Sequence, residues 1–247
     1  MRRLRRITEQ EAIAEFLKSE FYHSEFHYDR GRFERLVLHA DVTNAAENAL
    51  RRALLYRRRR HMWRELPVNT EWWEIQIESS DLKLIRVFPR AQWRRIAKGS
   101  LLLLDVTERI RTERSIRRTQ KCVTKVHAIG ESLRRGDGLG CALLIGVDES
   151  NALTILEGNH RLTAALMEYD NVPTSQLRVF CGFSPQMHKC CWYQTNLSTL
   201  WHYAKNRFKS LFDDEAKIQR LMNDNPSTFG SANAVPEQTP VRDQPAA

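Results

Sequence analysis

No stretch of this sequence approaches the roughly 20 consecutive apolar residues that a membrane-spanning helix needs. The longest leucine run, Leu101 to Leu104, is far too short, so no membrane partner is expected. The basic N-terminus is not followed by an apolar segment, and a secretory leader is therefore not expected either. Cysteine is scarce and odd in number, five in 247 residues. That argues against a disulfide framework and for reduced thiols in a cytoplasmic chain. There is no internal repeat, and no zinc-finger, RNP-type aromatic or clear helix-turn-helix pattern. Cys181, His188, Cys190 and Cys191 stand near one another in sequence but match no standard zinc spacing.

What the sequence has in excess is positive charge. Lysine and arginine total 39 against 30 acids, for a net charge of +9. Arginine dominates at Arg2, Arg3, Arg5 and Arg6 and again from Arg57 to Arg60. Such a balance suits anionic partners, whether nucleic acid, phosphorylated metabolites or an acidic membrane surface, and equally a solvated basic helix face. Hydrophobic residues make up 42%, enough for one sizeable core or two small ones.

Periodicity divides the chain into four parts. Residues 1–66 read as a helical N-terminal subdomain, opened by a capping box at Thr8-Glu9-Gln10-Glu11 and followed by Ile13, Phe16, Leu17 and Phe21 at helical spacing. Residues 67–183 alternate between strand and helix patterns. Strands are expected at Trp72–Ile77, across Leu82–Phe88, at Cys141–Val147, Leu153–Leu156 and Gln176–Cys181, with helix between about Glu108 and Arg135 and from Asn159 to Glu168. Residues 184–223 read as C-terminal helices with Ser198 as a cap, and 224–247, rich in Pro, Ser, Gln and Ala, as a disordered tail. The fold class is α/β.

One junction carries more chemistry than the rest. Glu157-Gly158-Asn159-His160-Arg161 falls where a strand hands over to a helix. A helix N-terminus offers unpaired N–H groups and the positive end of its dipole, so it is a ready anion site. Gly158 permits a sharp turn, Asn159 and His160 can donate hydrogen bonds, and Arg161 adds a charged fork suited to phosphate oxygens. Glu157 can face a metal ion, a ribose hydroxyl or an arginine. Spacing alone fits a capped helix with a surface histidine as well.

Residues 72–183 resemble the core of the ParB/sulfiredoxin superfamily. The likeness rests on Glu157-Gly158-Asn159-His160-Arg161, the short helix carrying Ala164 and Ala165, Val172-Pro173 before the last strand, and an opening element from Ile77 to Pro89. It implies a small mixed sheet that binds nucleotide phosphates at this box, with Arg86 and Arg90 as further phosphate contacts. Asn159 stands where sulfiredoxins carry their reactive cysteine, which argues against that chemistry. A free-standing kinase of the superfamily would use ATP or ADP with Mg²⁺, phosphorylate a small-molecule acceptor, and keep a catalytic carboxylate just after the first strand. Here that position reads Ile85-Arg86-Val87. Glu74, Glu78 and Asp81 are the nearest acids; Glu74 and Glu78, four apart, would share a strand face and supply a base or Mg²⁺ ligand, or else a solvated edge. His160 is a further catalytic candidate and Glu157 the candidate metal ligand. The expected activity is therefore a nucleotide-dependent small-molecule kinase. The alternative is a CTP-binding, DNA-associated regulator of ParB type, and a third reading is a protein-interaction module.

Overall fold

The computed structural model of the chain describes residues 1–22, 26–27, 30–112, 118–169 and 172–213. Its centre is a six-stranded mixed sheet. The strands are β1 (Arg2–Ile7), β2 (Glu71–Gln76), β3 (Ile85–Arg86), β4 (Gly140–Gly146), β5 (Leu153–Glu157) and β6 (Leu177–Phe183), in the order β1-β2-β6-β4-β5-β3. The β4–β6 and β3–β5 pairs are parallel and the other three antiparallel. Strand β4 is apolar and buried from Cys141 to Gly146, as expected for the centre of a sheet covered on both faces.

Strand β1 corrects the reading of residues 1–66 as helical. Four arginines and only two large apolar residues hide its identity, because an edge strand exposed along most of its length has no apolar alternation to show. It is held instead by backbone pairing to β2 and by side-chain contacts of Arg2 with Gln76, Arg3 with Glu149 and Arg6 with Glu71.

The helices of the first third lie against one sheet face. Helix α1 (Glu9–Glu20) starts with the expected capping box: Thr8 Oγ1 accepts from the Glu11 amide at 3.1 Å, and Glu11 Oε2 accepts from the Thr8 amide at 2.7 Å. Its apolar stripe of Ile13, Phe16 and Leu17 is fully buried. Helices α2 (Arg30–Leu38) and α3 (Ala45–Trp63) follow, and Trp63 stacks on Trp72 of β2 with ring centroids 5.4 Å apart. On the same sheet face, Cys141 of β4 meets Ser19 of α1, whose Oγ accepts from the Cys141 amide at 3.3 Å.

The middle of the chain departs from expectation in two places. Of residues 82–88, the first three end a 3₁₀ turn (Ser79–Leu84) and only Ile85–Arg86 form a strand, β3. A short helix, α4 (Ala91–Ala97), then follows Pro89, too brief to show an amphipathic period. Helix α5 (Leu103–Thr112) starts before Glu108, and α6 (Gln120–Arg134) begins just after Thr119. Helix α7 (Asn159–Glu168) packs against α5 and α6. Gly130 faces the Glu168 side chain across the α6–α7 contact, a Cβ there lying 2.6 Å from Oε1 at the end of that flexible chain.

After β6 the chain is not continuously helical. Residues 184–196 hold only a 3₁₀ turn at Met187–Lys189, and α8 spans Leu197–Asp213. Its cap is Asn196 rather than Ser198: Asn196 Oδ1 accepts from the Thr199 amide at 2.9 Å and the Asn196 amide donates to Thr199 Oγ1 at 3.0 Å. The expected tail, 224–247, lies outside the described residues. A single apolar cluster runs from Ile7 through the sheet to Cys190, so the helices of residues 1–66 share their core with the sheet. Among the described residues no helix is long and apolar enough to cross a membrane.

Candidate functional site

The junction of β5 and α7 is built around Gly158. Its φ of 93° lies in the left-handed region, and a Cβ there would come within 2.7 Å of Ala142 Cβ and 2.9 Å of Ala142 Cα on β4. The close backbone approach that glycine permits is therefore to the neighbouring strand. Glu157 Oε1 accepts from the Gly158 amide at 2.8 Å, which holds a carboxylate at the positive end of α7.

The next three side chains diverge. Asn159, 6% exposed, accepts with Oδ1 from the Phe88 amide at 2.7 Å and so anchors the loop between β3 and α4. His160 lies between Trp93 of α4, ring centroids 5.0 Å apart, and Cys122 of α6, whose Sγ is 3.3 Å from Nε2. Burial pushes the Cys122 thiol up to about 11, so it stays protonated at neutral pH. Arg161 corrects the sequence reading. Its guanidinium donates to the carbonyls of Cys141 and Ser19, each at 2.9 Å, and ties α7 to β4 and α1. A fork that satisfies two backbone carbonyls is a structural brace, and it does not line the pocket described next.

That pocket, about 510 Å³, opens beside the junction. Glu157, Asn159 and His160 form one side, and α4 contributes Gln92 and Trp93, preceded by Phe88 and Arg90. Lys125 comes from α6, Met62 from the end of α3 and Glu20 from the last residue of α1. Arg90 also lies over two packed rings, 4.8 Å from the Phe88 centroid and 5.9 Å from that of Trp192, which are themselves 5.2 Å apart. The pocket thus gathers an arginine, a lysine, an imidazole and two carboxylates against an aromatic wall. Its size is that of an ordinary small-molecule site.

The other expected residues lie elsewhere. Glu74 bonds with Arg178, Nε–Oε1 2.8 Å, and with Arg5 at 2.8 Å; the Arg178 hydrogen bond holds its carboxyl below the ordinary glutamate range. Glu78 and Asp81 do not share a strand face with Glu74, because β2 ends at Gln76 and Glu78 caps the 3₁₀ turn. Both instead face the Met1 amine, Asp81 Oδ2 at 2.7 Å and Glu78 Oε2 at 3.4 Å. None of the three acids lines the pocket, and each has a structural partner. Arg86 is exposed on β3 beside Thr154, outside the pocket, so of the two arginines expected on phosphates only Arg90 lines it. Cys181, Cys190 and Cys191 are free and buried, and among the described residues no three His, Cys, Asp or Glu side chains converge as a metal site. A Mg²⁺ ion carried by phosphates needs only one or two protein carboxylates, and Glu20 and Glu157 fit that requirement.

Sequence reasoning missed Glu20, Gln92, Trp93 and Lys125. For Glu20 a signal existed: it falls three residues after Leu17 and four after Phe16, a carboxylate on the apolar stripe of α1, and it is 1% exposed. Lys125 carries no such signal. Compared with known proteins, the chain matches no family model, no curated protein and no solved structure.

Proposed function

We propose that the chain is a nucleotide-dependent phosphotransferase, binding ATP or ADP with Mg²⁺ in the pocket beside α7 and acting on a small-molecule acceptor. The observation that carries this reading is the convergence of Arg90, Lys125 and His160 on the N-terminal side of α7 within one pocket. Cations and a helix N-terminus favour phosphate oxygens, and Phe88 and Trp93 offer apolar surface for a base. The likeness of residues 157–161 to a nucleotide-binding box supports the same reading.

In the proposed reaction an acceptor hydroxyl oxygen forms a bond to the terminal phosphorus while the bridging P–O bond breaks and the shortened nucleotide leaves. Lys125 and Arg90 hold the phosphate charge and orient it in line with the acceptor. The hydroxyl proton passes to a pocket carboxylate, Glu20 or Glu157, which takes over the base role expected of Glu74, Glu78 and Asp81. Mg²⁺, when bound with the nucleotide, would be held by the remaining carboxylate and would neutralise charge on the phosphates.

Calorimetric titration with ATP, ADP and CTP in Mg²⁺, on the wild type and Lys125→Met, tests this. Adenine-nucleotide binding weakened about tenfold or more by K125M is the expected result. No binding to any nucleotide sinks the proposal. Selective CTP binding without acceptor-dependent turnover would favour a nucleotide-controlled regulator, and DNA would be the next ligand tried.

A further inference from the structure

Helix α8 is amphipathic the wrong way round. Over residues 197–206 its inward side is polar or polar-tipped. Thr199 is 5% exposed, with Oγ1 donating to the Gln194 carbonyl at 2.7 Å; Asn206 Nδ2 donates to Glu65 at 3.3 Å; and Tyr203 packs edge-on against Trp192, 5.3 Å between centroids. Its outward side carries Leu197 at 89% exposure, Trp201 at 75% and Leu200 at 45%. These three sit at the i, i+3, i+4 spacing of one helix face. Of the eight large exposed hydrophobic residues among those described, three fall within these five positions, so the exposure is a patch rather than scatter.

The charge on the helix indicates what covers the patch. Lys205 is exposed one turn after Trp201, and α8 carries Lys205, Arg207 and Lys209 against one acid, Asp213. Pairing with a second copy of the helix would bring like charges together, at a cost in binding. An apolar stripe of leucine and tryptophan flanked by lysine and arginine is the composition that settles in the interface of a bilayer bearing negative lipids. We propose that α8 is a docking helix for an anionic lipid surface, lying flat with Leu197, Leu200 and Trp201 among the headgroups. The proposal stands apart from nucleotide binding. It extends the preference for anions, read from the net charge of +9, to a surface that no spanning helix is needed to reach.

The test is sedimentation of the full chain with vesicles of phosphatidylcholine alone or of equal parts phosphatidylcholine and phosphatidylglycerol, at low and high salt. The wild type is expected to sediment with the mixed vesicles, less so at high salt, and its tryptophan emission to shift to the blue. Leu197→Ser/Trp201→Ser, which touches only exposed positions, should keep its far-UV circular dichroism and weaken vesicle binding about a hundredfold. Should the double variant lose its fold, Lys205→Glu/Lys209→Glu replaces it and should abolish the preference for phosphatidylglycerol. Three results would overturn the proposal: wild type left in the supernatant with mixed vesicles, equal binding by the variants, or equal binding to phosphatidylcholine alone. A dimer seen by light scattering, lost in the double variant and without vesicle binding, would assign the patch to a second copy instead.

Discussion

Residues at and beside the β5–α7 junction separate structure from binding. Gly158 combines a positive φ with a Cβ position overlapping Ala142, whose side-chain Cβ would lie at 2.7 Å and backbone Cα at 2.9 Å. Gly158→Ala should destabilise the chain by about 2–4 kcal/mol in urea unfolding. Adding Ala142→Gly should restore only part, since the Ala142 Cα and the left-handed φ remain. Arg161 and Lys125 make the complementary pair. Arg161→Met leaves the carbonyls of Cys141 and Ser19 without their donor and should cost about 1–3 kcal/mol of stability. Folded Arg161→Met should still bind nucleotide nearly as well as the wild type, whereas folded Lys125→Met should lose affinity. If Arg161→Met abolished nucleotide binding while its melting temperature held, the assignment of the two residues would be reversed.

At the scale of elements, α1 links its N-terminal cap to the pocket, because Glu20 is its final residue. Thr8→Ala removes the side-chain acceptor for the Glu11 amide and should lower stability by about 1 kcal/mol, measured by thermal unfolding. Elements with strong local signals were legible in the sequence. The capping box of α1, the apolar run of β4 and the Gly158 junction before α7 all show where the chain must turn or bury itself. Elements stabilised by distant partners were not. Strand β1 exists because β2 offers it a ladder, and α4 is too short to declare a period. The same distinction applies to the site. That Arg161 lies at a helix start was readable, but its orientation toward α1 depends on Ser19, 142 residues earlier. The sequence shows which residue types stand at the junction and cannot say which of them turn inward.

For the whole molecule, two glutamates give opposite responses to acid. Arg178, chiefly by its hydrogen bonds, holds Glu74 below the ordinary glutamate value of about 4.3. The unfolded chain therefore takes up that proton first as pH falls. The stabilisation from Glu74 is complete above the ordinary value and is lost as pH drops through the folded one. Burial raises Glu65 instead, so its charge opposes folding above its folded value, and the penalty vanishes below the ordinary one. Glu74→Gln should thus be less stable than the wild type at neutral pH, and Glu65→Gln, which keeps an acceptor for Asn206, more stable. Both differences should close in acid, as followed by melting temperature from pH 7 downward. Ligand linkage gives a further global readout: at about a hundredfold excess over Kd, ATP with Mg²⁺ should add about 2.7 kcal/mol to the wild type and much less to Lys125→Met.

The sheet order also dictates a timetable. Strand β2 pairs with β1 on one side and with β6 on the other, and the β2–β6 ladder joins Trp72 to Gly182. A growing chain therefore emerges with one edge of β2 open, Trp72 and Ile75 included, until more than a hundred further residues have left the ribosome. Loop closure over that span is slow, and an apolar strand edge is a template for pairing with a wrong neighbour. Translation that pauses between β2 and β6, or truncation before Leu177, should therefore yield aggregate rather than a folded fragment.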